Sequence, residues 1–223
     1  MADNYHGIRA HIADACARVG RASSEVTVVA VSKTVGLAEV ARAVEAGIHD
    51  FGENRTSLFN EKYAAFPAER WHFIGSIQTN KIKDFVGRAA LVHSVASTRA
   101  LEGIAKRAQM LNITQPLLIE VNVSGEQSKD GVVPAELPGL LERACALEGV
   151  EVRGLMTMAP QGDAAVARAT FRGLRELRDR LAVRYEITGR VQLRELSMGM
   201  SEDYPLAVEE GATIVRIGRS VWA

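Results

Sequence analysis

The sequence predicts an α/β protein that folds as a single (β/α)8 TIM barrel with an extra helix at its N-terminus. Short apolar runs alternate with helix-like segments along the chain, which is the pattern of parallel strands joined by right-handed crossovers. There are eight such runs, the number of strands in a closed barrel of this type. No linker or low-complexity segment interrupts residues 1–223, so we expect one domain.

The elements follow from the spacing of apolar residues. The first is an amphipathic helix that Gly20 is expected to end, and its apolar face consists of Ile8, Ile12, Ala15 and Val19. Strands are expected near residues 26–32, 48–52, 71–75, 90–94, 117–122, 151–156, 193–197 and 213–217. The intervening helices are expected near residues 37–46, 54–65, 79–86, 97–110, 134–148, 163–183 and 202–210.

Two features bear on how the barrel closes. An open doubly wound sheet is the alternative fold. The G-x-G-x-x-G pattern of a dinucleotide-binding sheet of this kind does not follow the first strand. Only residues 218–223 come after the eighth strand, which is too few for an eighth helix. We therefore expect the N-terminal helix to cover that part of the barrel.

Composition argues against several classes of function. The chain has 27 Lys and Arg residues against 27 Asp and Glu residues, so its net charge is zero, and we expect binding to neither nucleic acid nor anionic membranes. No signal-like or membrane-spanning apolar run is present. Cys16 and Cys145 lie in helix-like segments without the spacing of a metal site or a disulfide framework. We expect a cytoplasmic protein with reduced thiols, and a monomer.

Lys33 is the most informative single residue. It follows an almost wholly apolar, β-branched run that is typical of a strand buried on both faces. Beside such an interior the ammonium is disfavoured, so a neutral, nucleophilic amine is easier to reach. Desolvated lysines form Schiff bases with carbonyl compounds, including pyridoxal phosphate. A solvated lysine at a strand end is the alternative.

The seventh loop is a candidate phosphate site, because the loops after strands seven and eight of such barrels often bind phosphate. Gly199 permits a tight turn, and Ser201 occupies the expected N-cap of the following helix, where free N–H groups attract anions. Ser201 acting only as a cap is the alternative. Glu202 and Asp203 would repel a phosphate unless they point outward.

The eighth strand carries a charge in an otherwise apolar segment. Arg216 needs a partner if it is buried, either a structural carboxylate or a ligand. Gly218 would let the backbone approach an anion closely. Closure of the barrel makes the first and last strands neighbours, so Lys33, Arg216 and Gly218 are expected on one rim. A lysine that traps aldehydes beside a phosphate cradle suits pyridoxal phosphate.

Two other residues are expected to play no part in this site. His72 lies within an apolar run, where a core histidine is a more common outcome than a ligand. Lys129 lies in a polar segment and is expected to be a solvated loop lysine.

Six short motifs carry a family resemblance. In chain order they are Ala30-Val31-Ser32-Lys33-Thr34, Phe51-Gly52-Glu53-Asn54, Trp71-His72-Phe73-Ile74-Gly75-Ser76-Ile77-Gln78-Thr79-Asn80-Lys81, Gly154-Leu155-Met156, Ser197-Met198-Gly199-Met200-Ser201-Glu202-Asp203 and Val215-Arg216-Ile217-Gly218. Each motif alone is unspecific. The ordered set, which extends over residues 26–220, resembles the pyridoxal phosphate homeostasis proteins, whose barrel is similar to the N-terminal domain of alanine racemase.

The resemblance implies a fold-type-III barrel that holds pyridoxal phosphate as an internal aldimine on Lys33. It implies phosphate contacts from Ser201 and from the backbone around Gly218 and Arg219, and an Arg216 that faces the pyridine nitrogen. It also implies that Asn54 lies near the cofactor. Family members often have a small or hydroxylated residue at the position of Arg219, so we expect a backbone contact there.

The resemblance further implies a non-catalytic protein that buffers or delivers pyridoxal phosphate, with apo forms of pyridoxal phosphate enzymes as recipients. An amino-acid racemase is the alternative. In alanine racemases the second base is a tyrosine from a C-terminal β-domain. We do not expect such a domain in this chain. Tyr5, Tyr63 and Tyr185 are expected away from the rim, whereas Tyr204 lies near the seventh loop. A Schiff-base aldolase acting on sugar phosphates is a third possibility, and an absorption spectrum would distinguish it.

Overall fold

The computed structural model describes residues 1–126, 130–185 and 189–223, so the expectation for Lys129 lies outside the described residues. Eight parallel strands form a closed barrel in chain order, which confirms the predicted fold class. The strands are β1 Thr27–Val31, β2 Asp50–Glu53, β3 Arg70–Phe73, β4 Leu91–Val95, β5 Gln115–Glu120, β6 Val150–Met156, β7 Val191–Ser197 and β8 Ile214–Ile217. The boundaries of each strand lie within two residues of the prediction.

The barrel closes through β1 and β8. Thr27 pairs with Ile214, and the parallel pairing continues to Ala30 and Ile217. An open doubly wound sheet would leave unpaired edge strands, so that alternative is wrong. Because β1 and β8 run side by side in the same direction, the residues that follow them lie at the same end of the barrel.

Helices alternate with the strands along the chain. They are α1 Ala2–Arg18, α2 Leu37–Glu45, α3 Thr56–Ala65, α4 Thr98–Met110, α5 Leu137–Cys145, α6 Ala164–Tyr185, α7 Tyr204–Glu209 and α8 Arg219–Trp222. The helical segment expected at residues 79–86 forms as a 3-10 helix, Thr79–Asp84, and not as an α-helix. This segment buries only Ile82 and has no amphipathic face to stabilise longer α-helical turns. Within the described ranges, no helix combines the length and apolarity needed to cross a membrane.

The N-terminal helix covers the part of the barrel beside the last strand, as the sequence predicts. α1 packs against α7 and α8, and its buried residues are Ile8, Ile12, Ala15 and Cys16. Val19 was expected on this face but is 43% exposed, because the helix ends one residue before it. The expectation that no eighth helix follows β8 is wrong, because residues 219–222 are enough for the single turn of α8.

Side chains inside the barrel form a layer separate from the core between strands and helices. Five apolar residues from five strands pack together there, namely Val29, Leu91, Leu118, Met156 and Ile214. Successive residues of a strand face opposite sides, so residues two positions after three of these also point inward. They are His93, Glu120 and Arg216, all buried. A polar layer therefore lies next to the apolar one, toward the C-terminal ends of the strands.

A buried ion pair fixes the end of β1. Lys62 on α3 is 1% exposed and pairs with Glu53, the last residue of β2. The Lys62 ammonium also donates to the carbonyl oxygen of Ser32, 2.6 Å away, and the Ser32 hydroxyl donates to Glu53 at 2.8 Å. The Glu53 carboxylate additionally accepts from the N–H of Asn54 at 3.2 Å. These contacts hold the backbone immediately before Lys33 and Asn54.

Removing one partner of this pair should be costly. Lys62→Met leaves the Glu53 carboxylate buried without its counter-ion, and we expect a loss of about 3–5 kcal/mol in the free energy of unfolding, measured with denaturant. The double variant Lys62→Met, Glu53→Gln should recover much of that loss. Arg184→Met, which breaks the exposed Arg184–Glu142 pair, is the control and should cost less than about 1 kcal/mol. A Lys62→Met protein as stable as the control would contradict this account.

Candidate functional site

A cavity of about 660 Å³ opens at the C-terminal mouth of the barrel. Residues at or after the ends of β1, β2, β3, β6, β7 and β8 line it, as expected for the functional face of such a barrel. All six residues singled out from the sequence line this one cavity: Lys33, Asn54, Ser201, Arg216, Gly218 and Arg219. Barrel closure therefore brings together residues from both ends of the chain.

Lys33 reaches the cavity from just beyond β1. The strand ends at Val31, and Ser32 is fully buried, whereas Lys33 is exposed. The expectation of a desolvated lysine is wrong for this structure, because Lys33 lies past the buried part of the strand, on the rim. Among the described residues, its ammonium has no hydrogen bond or ion pair with another side chain. A lysine in this setting is accessible to a ligand that enters the cavity.

Asn54 follows β2 and is held by a close backbone contact. A Cβ at Gly75 would lie 2.0 Å from the Asn54 carbonyl oxygen, so only glycine permits the loops after β2 and β3 to approach this closely. The side-chain oxygen of Asn54 is buried and has no hydrogen-bond partner. Buried polar atoms are nearly always satisfied, so this acceptor is one that a bound group could use.

The loop after β7 differs from the prediction in one respect. α7 begins at Tyr204, and Asp203 occupies its N-cap position, so Ser201 is not the helix cap. Proline is favoured in a first helical turn because it lacks an N–H, and Pro205 places the start of α7 later than expected. Ser201 lies instead in the turn that lines the cavity.

Gly199 shapes this turn, as predicted. Its φ is +93°, and a Cβ there would lie 2.6 Å from the Cβ of Ala207, so a larger residue would both strain the backbone and push α7 away. The N–H of Met200 donates to the Asp203 carboxylate at 2.6 Å. Burial raises the pKa of Asp203 above its usual value.

Arg216 is 5% exposed and lies inside the barrel mouth. Its guanidinium donates to the Ser197 hydroxyl at 2.7 Å and to the Thr157 carbonyl oxygen at 3.0 Å. Burial lowers its pKa to about 10, an effect opposed by the charges of Glu120 and Asp203. No carboxylate of the described residues forms an ion pair with it. Of the two partners that the sequence left open, a structural carboxylate is therefore not the one found.

Gly218 and Arg219 form the edge of the cavity next to Lys33. A Cβ added at Gly218 would meet no protein atom closer than 3.8 Å, so packing within the chain does not demand glycine here. Gly218 is also the N-cap of α8, whose first N–H groups have no partner within the helix. The Arg219 side chain pairs with Glu202, and both are exposed, so one of the two carboxylates that would repel a phosphate is neutralised.

Tyrosines lie away from the cavity. The Tyr204 hydroxyl is within 2.9 Å of His11 Nδ1 on α1, the side chain is 5% exposed, and Tyr204 does not line the cavity. Tyr5, Tyr63 and Tyr185 lie in α1, α3 and α6, as predicted. Within the described residues, the cavity lining contains no tyrosine, histidine or cysteine.

Sequence reasoning missed buried residues that form hydrogen bonds next to the residues lining the cavity. Lys62 was not singled out, although it falls three residues after buried Phe59 and hence on the same face of α3. His93 and Ser197 were also missed. For His93 the sequence signal is its place inside the strand-like run Leu91-Val92-His93-Ser94-Val95.

Comparisons with known proteins agree with the geometry. The chain matches the family model for the alanine racemase N-terminal domain over residues 6–223. It is 44% identical to the pyridoxal phosphate homeostasis protein of Aquifex aeolicus, covering 93% of this chain and 90% of that protein. It is 42% identical to the pyridoxal phosphate homeostasis protein of Deinococcus radiodurans, covering 97% and 98% of the two chains.

A solved structure gives the same result. PipY of Synechococcus elongatus with PLP bound superposes with a TM-score of 0.81 at 33% identity, covering 95% of this chain and 100% of that one. The predicted resemblance is thereby confirmed. This chain belongs to the family of the alanine racemase N-terminal domain and, within it, to the pyridoxal phosphate homeostasis proteins.

Proposed function

We propose that this protein binds pyridoxal phosphate covalently and reversibly on Lys33, and that it serves intracellular pyridoxal phosphate homeostasis by buffering or delivering the cofactor. Residues 1–223 would act as one binding domain, as a monomer in the cytoplasm, with apo forms of pyridoxal phosphate enzymes as recipients. The observation that carries the proposal is the convergence of Lys33, Arg216 and Gly218 on one cavity. The names of the relatives and the cofactor in PipY support the same choice.

The residues of the cavity fit this cofactor. Lys33 is an accessible amine, and Arg216 is a buried cation that forms no ion pair with a carboxylate of the described residues. The buried oxygen of Asn54 lacks a hydrogen-bond donor, and the space beside Gly218 is open to a group that approaches the backbone. A volume of about 660 Å³ lies in the usual range for cofactor sites.

Each residue has a distinct role in this proposal. Pyridoxal phosphate supplies an aldehyde that condenses reversibly with a lysine amine, with loss of one water. Lys33 provides the amine, and its exposure lets water and competing amines reverse the bond. Ser201 and the N–H groups around Gly218 and Arg219 hold the phosphate. Asn54 orients the ring from the side of β2.

Arg216 favours a carrier over an enzyme. With a pKa of about 10 its guanidinium stays charged at neutral pH. A cation opposite the ring nitrogen disfavours protonation of that nitrogen, and the ring is then a weaker electron sink. A racemase also needs a second acid/base group on the opposite face, and Tyr204 is directed toward His11 instead of the cavity.

The first prediction of this proposal concerns the covalent bond. Purified protein mixed with pyridoxal phosphate should absorb visible light, and Lys33→Ala should lose this band while remaining folded by circular dichroism, because no other lysine lines the described part of the cavity. Lys81→Ala is the matched control, since Lys81 is exposed outside the cavity. Survival of the band in Lys33→Ala would refute the assignment, and a reactive Lys33 with no band in the wild type would favour the aldolase.

The second prediction concerns catalysis. Incubation of the loaded protein with L-alanine or L-serine in deuterated water should leave the α-carbon essentially undeuterated over many protein equivalents, as followed by proton NMR. The reason is that no described residue of the cavity supplies the tyrosine base of a racemase. Multiple-turnover exchange that Tyr204→Phe abolishes would make this protein a racemase.

A further inference from the structure

Two buried histidines have no role in the function proposed above. His72 on β3 is 1% exposed and His93 on β4 is 0% exposed. The prediction that His72 is a core histidine is confirmed by its burial, but its surroundings are polar. His72 Nδ1 lies 2.9 Å from His93 Nε2, so the two rings form a hydrogen-bonded pair inside the barrel.

This pair is the centre of a longer chain of hydrogen bonds. His93 Nδ1 lies 2.9 Å from the Ser197 hydroxyl, and because β4 and β7 are not neighbours, this bond crosses the barrel interior. Ser197 in turn accepts from Arg216. At the other end His72 Nε2 lies 2.9 Å from Asp50. We call this set, Arg216, Ser197, His93, His72 and Asp50, the polar chain.

Its two ends lie at opposite ends of the barrel. Arg216 lines the cavity at the C-terminal mouth. Asp50 is the first residue of β2, so it lies at the N-terminal end, where it also pairs with the largely exposed Arg70 at 3.2 Å. The Asp50 side chain is 18% exposed, and it is close enough to Tyr5 on α1 to influence the pKa of that residue.

The ends also fix the direction of every hydrogen bond. A guanidinium can only donate, and a carboxylate can only accept. The Ser197 hydroxyl accepts from Arg216 and directs its own proton to His93 Nδ1. His93 then carries its proton on Nε2 and donates to His72 Nδ1, and His72 carries its proton on Nε2 and donates to Asp50. With both rings neutral, this is the one assignment in which each donor meets an acceptor.

The charges around the polar chain are consistent with a neutral His93 ring. Burial, His72 and Arg216 together hold the pKa of His93 well below its usual value. Glu120 and Asp203 also act on Arg216 from β5 and the loop after β7. Burial and the nearby Asp130 raise the pKa of Glu120 to about 7, so the charge of this carboxyl changes near neutral pH.

We propose that His93, His72 and Asp50 are positioning residues for Arg216, and that they link the guanidinium at the cofactor site to the solvent-exposed end of the barrel. The Ser197 hydroxyl is oriented by its acceptor His93, and it therefore keeps a lone pair toward Arg216. A proton added at the His72–Asp50 end would reverse the tautomer of His93 and remove the acceptor of Ser197. The inference rests on the proposed function in one respect, namely that Arg216 faces the bound cofactor.

The tautomers can be measured without cofactor. In protein labelled with nitrogen-15 at its five histidines, long-range proton–nitrogen correlations identify which ring nitrogen carries the proton, and His72→Gln and His93→Gln assign the signals. We expect both rings to be neutral Nε2–H tautomers at pH 7, with His93 still neutral at pH 5.5. An Nδ1–H tautomer or a charged ring at His93 would overturn the proposal. This readout decides it even if pyridoxal phosphate does not bind.

The link to Arg216 is tested in cofactor-loaded protein. Asp50→Asn replaces a group that can only accept with a neutral amide that can also donate, so it no longer fixes the direction of the hydrogen bonds. We expect the pH midpoint of the visible band to shift by about half a pH unit or more, with unchanged cofactor occupancy. His93→Gln should shift it in the same manner. Asp179→Asn, which removes an exposed carboxylate paired with Arg178 on α6, is the matched control and should leave the midpoint unchanged. Superimposable profiles for wild type, Asp50→Asn and His93→Gln would overturn the link while leaving the proposed function intact.

Discussion

The hydrogen bonds between β1 and β8 are the constraint on which the rest of this structure depends. They pair Thr27–Ala30 with Ile214–Ile217 and thereby close the barrel. Closure sets the accessible amine of Lys33 beside the backbone of Gly218 and the guanidinium of Arg216, although these residues come from opposite ends of the chain. Trp222 adds to this closure, because its indole N–H donates to the Val31 carbonyl oxygen at 2.7 Å.

The supporting polar groups are buried behind the cavity, and burial makes their partners obligatory. The Glu53–Lys62 pair fixes the backbone next to Lys33 and Asn54. The polar chain fixes the side of the cavity that Arg216 occupies. Lys33 itself is exposed. Buried hydrogen bonds around the cavity and an accessible amine suit the covalent and reversible binding that we propose.

The sequence predicted the strands and the closure, because these depend on local apolar patterns and on the geometry of a closed barrel. The same geometry pointed to Lys33, Ser201, Arg216 and Gly218, whereas Asn54 and Arg219 came from the family resemblance. It failed where the outcome depends on distant partners or exact boundaries. Lys33 lies two residues past its strand and is not desolvated, and Pro205 moves the start of α7 beyond Ser201. Lys62 pairs with Glu53, and His93 with Ser197, only in the folded barrel, and local apolar spacing does not predict such polar pairs.

The measurement that tests the central claim most directly is transfer of the cofactor with and without borohydride reduction. The protein loaded with pyridoxal phosphate should restore activity to an apo enzyme that requires this cofactor. The same protein reduced with borohydride should restore none, because reduction makes the bond to the lysine irreversible, and peptide mapping should place the modification on Lys33. A modification on another lysine, or no transfer from the unreduced protein, would contradict the account.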